Sequence, residues 1–234
     1  MPNWHMAPMG EAALLIEHGS PEVAVANPAV IELGRRLHQR AAQAQIRGIE
    51  SIIPAIQSVL IRFDPLQCSR VELERLVWQV ADETASQQVN ATANDLAVHA
   101  LNVIQIGVRY GGEAGPDLDD VARHTGLAPQ DIIALHTAQP MRVLMMGFAP
   151  GFAYLGPLPV ALNIPRRSTP RAAVPAGSVA IAAGMTGVYP ARLPGGWHII
   201  GRTDEVLFDP AQQPPSRIQP AGGVQFVCIG NDWV

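Results

Sequence analysis

"MMGFAPGFAYLGPLP", residues 145–159, places three glycines and three prolines among apolar and aromatic side chains and carries no charge. A helix cannot run through that density of proline and glycine, and the stretch is too apolar for an ordinary surface loop. Around it the apolar runs are short: "RVLMM" (142–146), "SVAIAA" (178–183), "WHIIG" (197–201) and "VQFVCI" (224–229). Short strands at turn-rich spacing predict an antiparallel barrel or sandwich. Two short helices interrupt it, "PDLDDVARHT" (116–125) and "PQDIIALHT" (129–137), each with a proline at its opening.

The first hundred residues have a different texture. "EAALLIEH" (11–18) alternates like a strand, and Val30, Leu33, Leu37, Ala41 and Ala44 recur at helical spacing over about 28–47. Asn27 followed by Pro28 fits an N-cap and first turn, and Gly48 fits the close. "IESIIPAI" (49–56) and "SVLIRF" (58–63) read as two strands. "CSRVELERLVWQVADE" (68–83) reads as a helix capped by Ser69, with Glu72 placed for a capping box. With "LNVIQIGV" (101–108) as a further strand, this order resembles a ferredoxin-like α/β unit. The polar, small-residue stretch "ASQQVNATAN" (85–94) is expected to be a linker. The expected fold class is therefore α+β, with an N-terminal α/β domain over 1–93 and a barrel domain over 94–234.

Composition removes several functions. A chain of 234 residues, 48% hydrophobic and 15% charged, is a globular protein with room for one or two cores. Its net charge of -4 offers no electrostatic footprint for nucleic acid or an anionic membrane. The N-terminus lacks the basic start and apolar core of a secretory signal, and no apolar run is long enough to cross a bilayer, so a cytoplasmic location is expected. Cys68 and Cys228 stand far apart and outside any CxxC pattern, against a zinc site or a disulfide framework. All sixteen basic residues are arginine. Without lysine there is no phosphate-loop lysine, no Schiff-base amine and no attachment point for biotin or lipoate.

The candidate functional residues fall in three places. Ala149-Pro150-Gly151-Phe152 fits a type II turn, whose N–H groups could form an anion-binding concavity walled by Phe148, Phe152 and Tyr154. The alternative there is a barrel corner held by aromatics. In "PRRSTPRAAVPAGS" (165–178), Arg166, Arg167 and Arg171 sit between prolines, where stiff guanidinium groups suit a carboxylate or phosphate; surface salt bridging is the competing reading. "GMTGVYPARLPGGWHIIGRT" (184–203) offers Trp197 as a flat face and Thr186, Tyr189 and His198 as polar tips. His136 and His198 are candidates for proton transfer, against the commoner structural role of a lone histidine. No GxSxG, HExxH or GxGxxG signature is present, which favours a part-site completed by partners.

Taken in order, "VRYGGEAGPDLDDVARHTGL", "LHT", "GFAPGFAYLGPLP", "PRRSTPRAAVPAGSVAIA", "TGVYP", "PGGWHIIGRT" and "LFDP" resemble the family that contains the B subunit of prokaryotic 5-oxoprolinase. That family includes the sporulation kinase inhibitor KipI and the subunit 1 region of allophanate hydrolase and urea carboxylase. The resemblance runs in dense blocks from about Val108 to Asp209. It implies a small N-terminal α/β domain followed by a cyclophilin-like barrel. It also implies two partners, a KipA-like C subunit of the same superfamily and an A subunit of separate fold. Together these would convert 5-oxo-L-proline to L-glutamate with ATP hydrolysis, ATP being a substrate of the complex whose site can lie on a partner, with no covalently attached cofactor. On that implication Arg166, Arg167 and Arg171 hold anionic oxygens, His136 or His198 handles a proton, and Phe152, Tyr154 and Trp197 shape the pocket. Met185 stands where the family commonly has Gln, and Gly223 where Asp is customary. Other readings stay open: a KipI-like inhibitor that docks on a histidine kinase, and carboxyl transfer onto urea or a related amide with a biotin carrier from elsewhere. Peptidyl-prolyl isomerase activity follows from fold analogy alone.

Overall fold

A computed structural model describes residues 3–43, 47–88 and 102–231. The chain divides into two compact units, residues 1–100 and 101–234.

The first unit contains strands β1 (Trp4–Pro8) and β2 (Ala13–His18), helix α1 (Val23–Ala42), strands β3 (Ile49–Pro54) and β4 (Ser58–Phe63), and helix α2 (Arg70–Gln88). Its sheet has the order β1-β2-β4-β3, antiparallel throughout. Alternation in β2 and β4 turns Leu14, Ile16, Val59, Ile61 and Phe63 onto one buried face. Against it pack Val30, Leu33 and Leu37 of α1 and Leu73, Val77 and Val80 of α2. Each of these side chains contributes roughly 1.5–3 kcal/mol by leaving water.

Three expectations change here. Helix α1 begins at Val23, so Pro28 lies inside it and Asn27 is no cap. The Asn27 amide instead donates to the carbonyls of Ala55 and Ile56, at 3.4 and 3.0 Å, and so ties the helix to the β3–β4 turn. The stretch 101–108 is not a strand of this sheet, whose edge beside β2 is filled by β1. The expected linker 85–94 is helical as far as Gln88, and its remainder and the expected domain boundary lie outside the described residues. The capping box on α2 forms as expected: the Glu72 amide donates to Ser69 Oγ at 3.3 Å and the Ser69 amide to Glu72 Oε2 at 3.0 Å.

The second unit is a closed seven-strand barrel. Its members are β5 (Val103–Tyr110), β6 (Met141–Met146), β7 (Ala153–Gly156), β9 (Ser178–Ala182), β10 (Met185–Val188), β12 (His198–Arg202) and β13 (Gly223–Asn231). They follow one another in the order β10-β7-β6-β13-β5-β12-β9, with β9 pairing back onto β10. Among the described residues, only β5 and β13 run parallel. Strands β8 (Arg171–Val174) and β11 (Leu193–Gly195) form a separate two-stranded ribbon. Helices α3 (Leu118–Thr125) and α4 (Pro129–Thr137) add Leu118, Val121, Ile132 and Ile133 to the barrel core. Gly126 ends α3 in the left-handed conformation, φ 72°, and Pro129 opens α4. Cys68 is buried and Cys228 exposed, both as free thiols. No helix among the described residues is long and apolar enough to cross a membrane.

Candidate functional site

The loop between β6 and β7 is built around Pro150 and Gly151. Phe152 N–H donates to Ala149 C=O at 3.0 Å and Gly151 has φ 81°, which is the type II turn that the Pro-Gly pair favours. A Cβ on Gly151 would come within 2.6 Å of Phe208 Cβ, so the turn lies tight against its neighbour. Gly147 N–H donates to Phe152 C=O at 3.1 Å. Two amides that an anion concavity would use are therefore bonded within the loop. Phe148 adopts φ 71°, a conformation rarely held by a bulky residue, and the residue is 56% exposed.

Behind that loop the expected aromatics gather. Ring centroids lie 5.4 Å apart for Phe148 and Phe152, 5.0 Å for Phe152 and Tyr154, 5.5 Å for Phe152 and Tyr189, and 5.7 Å for Tyr154 and Trp197. All are edge-on contacts, the geometry that ring quadrupoles favour. Phe152, Tyr189 and Trp197 are buried and Phe148 is the exposed end of the cluster. Burial pushes the Tyr189 phenol up, and the charges of Arg166 and Arg171 oppose that shift. Those two arginines thus lie within electrostatic reach of the aromatic wall.

A residue not singled out in the sequence organises the arginine loop. Asp117, the residue before α3, has a carboxylate that is 3% exposed. Its Oδ1 accepts from Arg167 Nη1 at 2.8 Å and Arg171 Nη2 at 2.7 Å; its Oδ2 accepts from Arg171 Nη1 at 2.8 Å and the Ile199 amide at 2.7 Å. Four bonds fill the acceptor capacity of a carboxylate. The Asp117 amide returns a bond to Ile199 C=O at 2.9 Å, and the Arg167 amide donates to Gly196 C=O at 2.8 Å. One side chain thereby joins the start of α3, the loop carrying Arg167, strand β8 and strand β12. Burial pushes its carboxyl up, but the Arg171 contact, the Ile199 amide and the charges of both arginines outweigh this and hold it below the ordinary value. Arg167 and Arg171 are consequently committed to a protein carboxylate. Arg166 is exposed and has no carboxylate partner among the described residues.

The two histidines part company. His136 lies inside the barrel, fully buried, with Nδ1 2.8 Å from Tyr110 Oη and Nε2 2.9 Å from Thr186 Oγ1. Thr186 gives its own hydrogen to Ala180 C=O at 3.0 Å. The hydroxyl must then accept from Nε2–H, and Nδ1 must accept from Tyr110, so a neutral tautomer satisfies every group. Burial lowers the His136 pKa to about 3. This histidine and Thr186, both buried and bonded to protein groups, form an interior brace. His198 lies at the arginine loop, with Nε2 3.1 Å from Pro165 C=O. Among the described residues no group of three or more His, Cys, Asp or Glu side chains is gathered to hold a metal ion.

Comparison with known proteins gives a consistent result. A family model for the carboxyltransferase domain, subdomains C and D, matches residues 4–218. The B subunit of 5-oxoprolinase from Escherichia coli O157:H7 is 36% identical over 222 residues, covering 94% of this chain and 93% of that protein. The corresponding B subunit of 5-oxoprolinase from Bacillus subtilis strain 168 is 34% identical over 228 residues, covering 95% and 92%. Among solved structures, TTHA0988 superposes with TM-score 0.75 at 30% identity, over 95% of this chain, which spans only 40% of that longer one. The urea carboxylase of Kluyveromyces lactis gives TM-score 0.68 at 16% identity, over 97% of this chain and 22% of that one, a likeness of fold.

Proposed function

Because this chain belongs to the family of carboxyltransferase domains, subdomains C and D, we propose that it is the B-type subunit of an ATP-dependent 5-oxoprolinase. With an A subunit and a KipA-like C subunit it converts 5-oxo-L-proline to L-glutamate. The observation that carries this reading is end-to-end similarity: the match spans 93% of the Escherichia coli protein but only 22% of the yeast urea carboxylase. On the same reading the barrel is cyclophilin-like, the N-terminal sheet is a ferredoxin-like arrangement with β1 as its fourth strand, and the complex works in the cytoplasm.

The chemistry suits the residues. A lactam is a poor electrophile, and transfer of a phosphoryl group from ATP to its oxygen makes the ring carbon open to water. The activated lactam and its carboxylate are both anionic. Fixed guanidinium groups stabilise charge that develops beside them, provided they need not reorganise during the reaction. The Asp117 clamp supplies that rigidity to the loop carrying Arg166. The wall of Phe152, Tyr154, Tyr189 and Trp197 supplies an apolar side that limits water.

The test is reconstitution. Glutamate should form from 5-oxoproline and ATP only when this chain is added to both partner subunits. Equal glutamate from the partners without this chain would overturn the assignment.

A further inference from the structure

Next to the Asp117 clamp is a cleft of about 460 Å³, with Asp120, Arg123 and His124 of α3 on one side, Arg166 and Arg167 on another, and His198 of β12 between them. Three guanidinium groups line it beside the Asp120 carboxylate, and that of Arg167 is also paired with Asp117. Asp120 is already engaged by Arg123 and lies 3.9 Å from Arg167 Nη1. The excess positive charge is greatest at Arg166, which has no carboxylate partner among the described residues. A cleft lined in this way concentrates anions.

His198 carries the second, independent observation. Its residue is 5% exposed. The Pro165 carbonyl can only accept, so Nε2 bears a hydrogen and, in the neutral ring, Nδ1 is a bare acceptor. That nitrogen is buried and has no hydrogen-bond partner among the described residues. An unmet polar atom on a residue that lines the cleft is one that the protein itself leaves without a partner. Burial holds His198 below its ordinary pKa; the Pro165 carbonyl and Asp117 act upward, while Arg167 and His124, whose ring centroid is 6.1 Å away, act downward. An anion in the cleft offsets the arginine charge and shifts the ring toward its protonated form, with the proton drawn from solvent.

The geometry points to this cleft as a binding site for a small oxyanion, a carboxylate or a phosphate, held by Arg166 and Arg123, with Arg167 adding its charge from its place on Asp117, and accompanied by uptake of one proton on His198 Nδ1. This inference rests on the proposed part of the Arg166 loop in a 5-oxoprolinase and deepens it by naming the class of ligand and the proton taken up, while its test reads binding and not turnover. It concerns the chain alone, and a chain that binds no oxyanion could still complete an active complex.

The test is an NMR titration of the histidine ring protons in the full chain, at constant ionic strength in sodium chloride. Inorganic phosphate is the probe in one arm and acetate in the other, and His198→Gln assigns the signal. The expected result is a saturable rise of the His198 midpoint by about one pH unit. Arg166→Gln should weaken that binding about tenfold while the spectrum stays folded, because the Arg166 side chain is exposed. Arg123→Gln should weaken it in the same direction. A stronger response to phosphate assigns a phosphoryl group as the natural occupant, and a stronger response to acetate assigns a carboxylate. A midpoint unmoved by both ions, or moved equally in Arg166→Gln, overturns the site.

Discussion

Asp117 and Arg171 meet in a two-point contact, Nη1 to Oδ2 at 2.8 Å and Nη2 to Oδ1 at 2.7 Å, with the carboxylate 3% and the guanidinium 27% exposed. The planar fork of arginine matches the carboxylate edge, which lysine cannot do. A guanidinium held this way sets the shape of its loop, and its two best-directed donors are not free for a substrate. The arginine-rich loop thus divides into an anchored part, Arg167 and Arg171, and an open part, Arg166.

Removing the carboxylate should therefore loosen the barrel. Asp117→Ala leaves two partly buried guanidinium groups and the Ile199 amide without an acceptor. Breaking one side of a buried ion pair is destabilising by about 3–5 kcal/mol, and the partial exposure of both arginines puts this case near the lower end. Hydrogen exchange at the Ile199 amide reads the effect directly, and it should accelerate at least tenfold. Asp117→Asn should give a smaller loss. An unchanged exchange rate in Asp117→Ala would show that the contact does not hold β12.

The interior brace gives a pH dependence of defined sign. His136 has its pKa lowered from 6.5 to about 3 by burial. Below pH 6.5 the unfolded chain binds a proton that the folded barrel rejects, so stability is fully present above that pH and declines as pH falls toward about 3. The slope is about 1.4 kcal/mol per pH unit for one proton. His136→Gln should flatten the curve of barrel stability against pH in this window. Asp117 also has a lowered folded pKa, so its contribution is fully present well above 3.8 and is lost as pH falls below that value; the part of the curve above it is free of Asp117 and is where His136→Gln is read.

How far these features were legible depends on the distance over which each is determined. The type II turn at Pro150 and Gly151, the Ser69–Glu72 capping box and the bounds of α4 are fixed by residues within a few positions of one another, and they appear as read. The aromatic wall was legible because large flat side chains in a turn-rich barrel have few other places to go. The start of α1 was not, since Asn27 makes its bonds 28 and 29 residues away instead of capping its own helix. Strand β5 pairs in parallel with β13 more than a hundred residues later, so no local pattern could remove it from the N-terminal sheet. Asp117 was hidden for a related reason: it occupies an N-cap position, where a carboxylate is ordinary, yet makes no side-chain cap bond.

Gly195 offers a local test of the aromatic wall. A Cβ at this position would collide with Tyr189 Oη and lie 2.8 Å from Tyr189 Cζ. Tyr189 is 2% exposed and has little room to retreat. Overpacking of this kind destabilises by about 1–3 kcal/mol. Gly195→Ala should lower the thermal midpoint, and Tyr189→Phe in the same chain should recover part of the loss by removing the hydroxyl. A double variant no more stable than Gly195→Ala alone would place the strain elsewhere.

Activity of the reconstituted complex separates an anchoring role for Arg171 from a substrate-binding one. Lysine at 171 keeps the charge but makes at most one of the two parallel bonds, so Arg171→Lys should shift the loop and lower kcat/KM for 5-oxoproline. Misplacement of a binding loop by about an ångström is worth up to roughly a hundredfold in rate. If Arg171 acts through Asp117, Asp117→Asn should lower the rate by a comparable factor. The double variant should then be little worse than either single one, because both remove the same contact. Rate losses that multiply in the double variant would mean that Arg171 touches substrate independently of Asp117, and the anchoring account would fail. Arg166→Gln supplies the contrast: it leaves the clamp untouched, so its loss should multiply with that of Asp117→Asn.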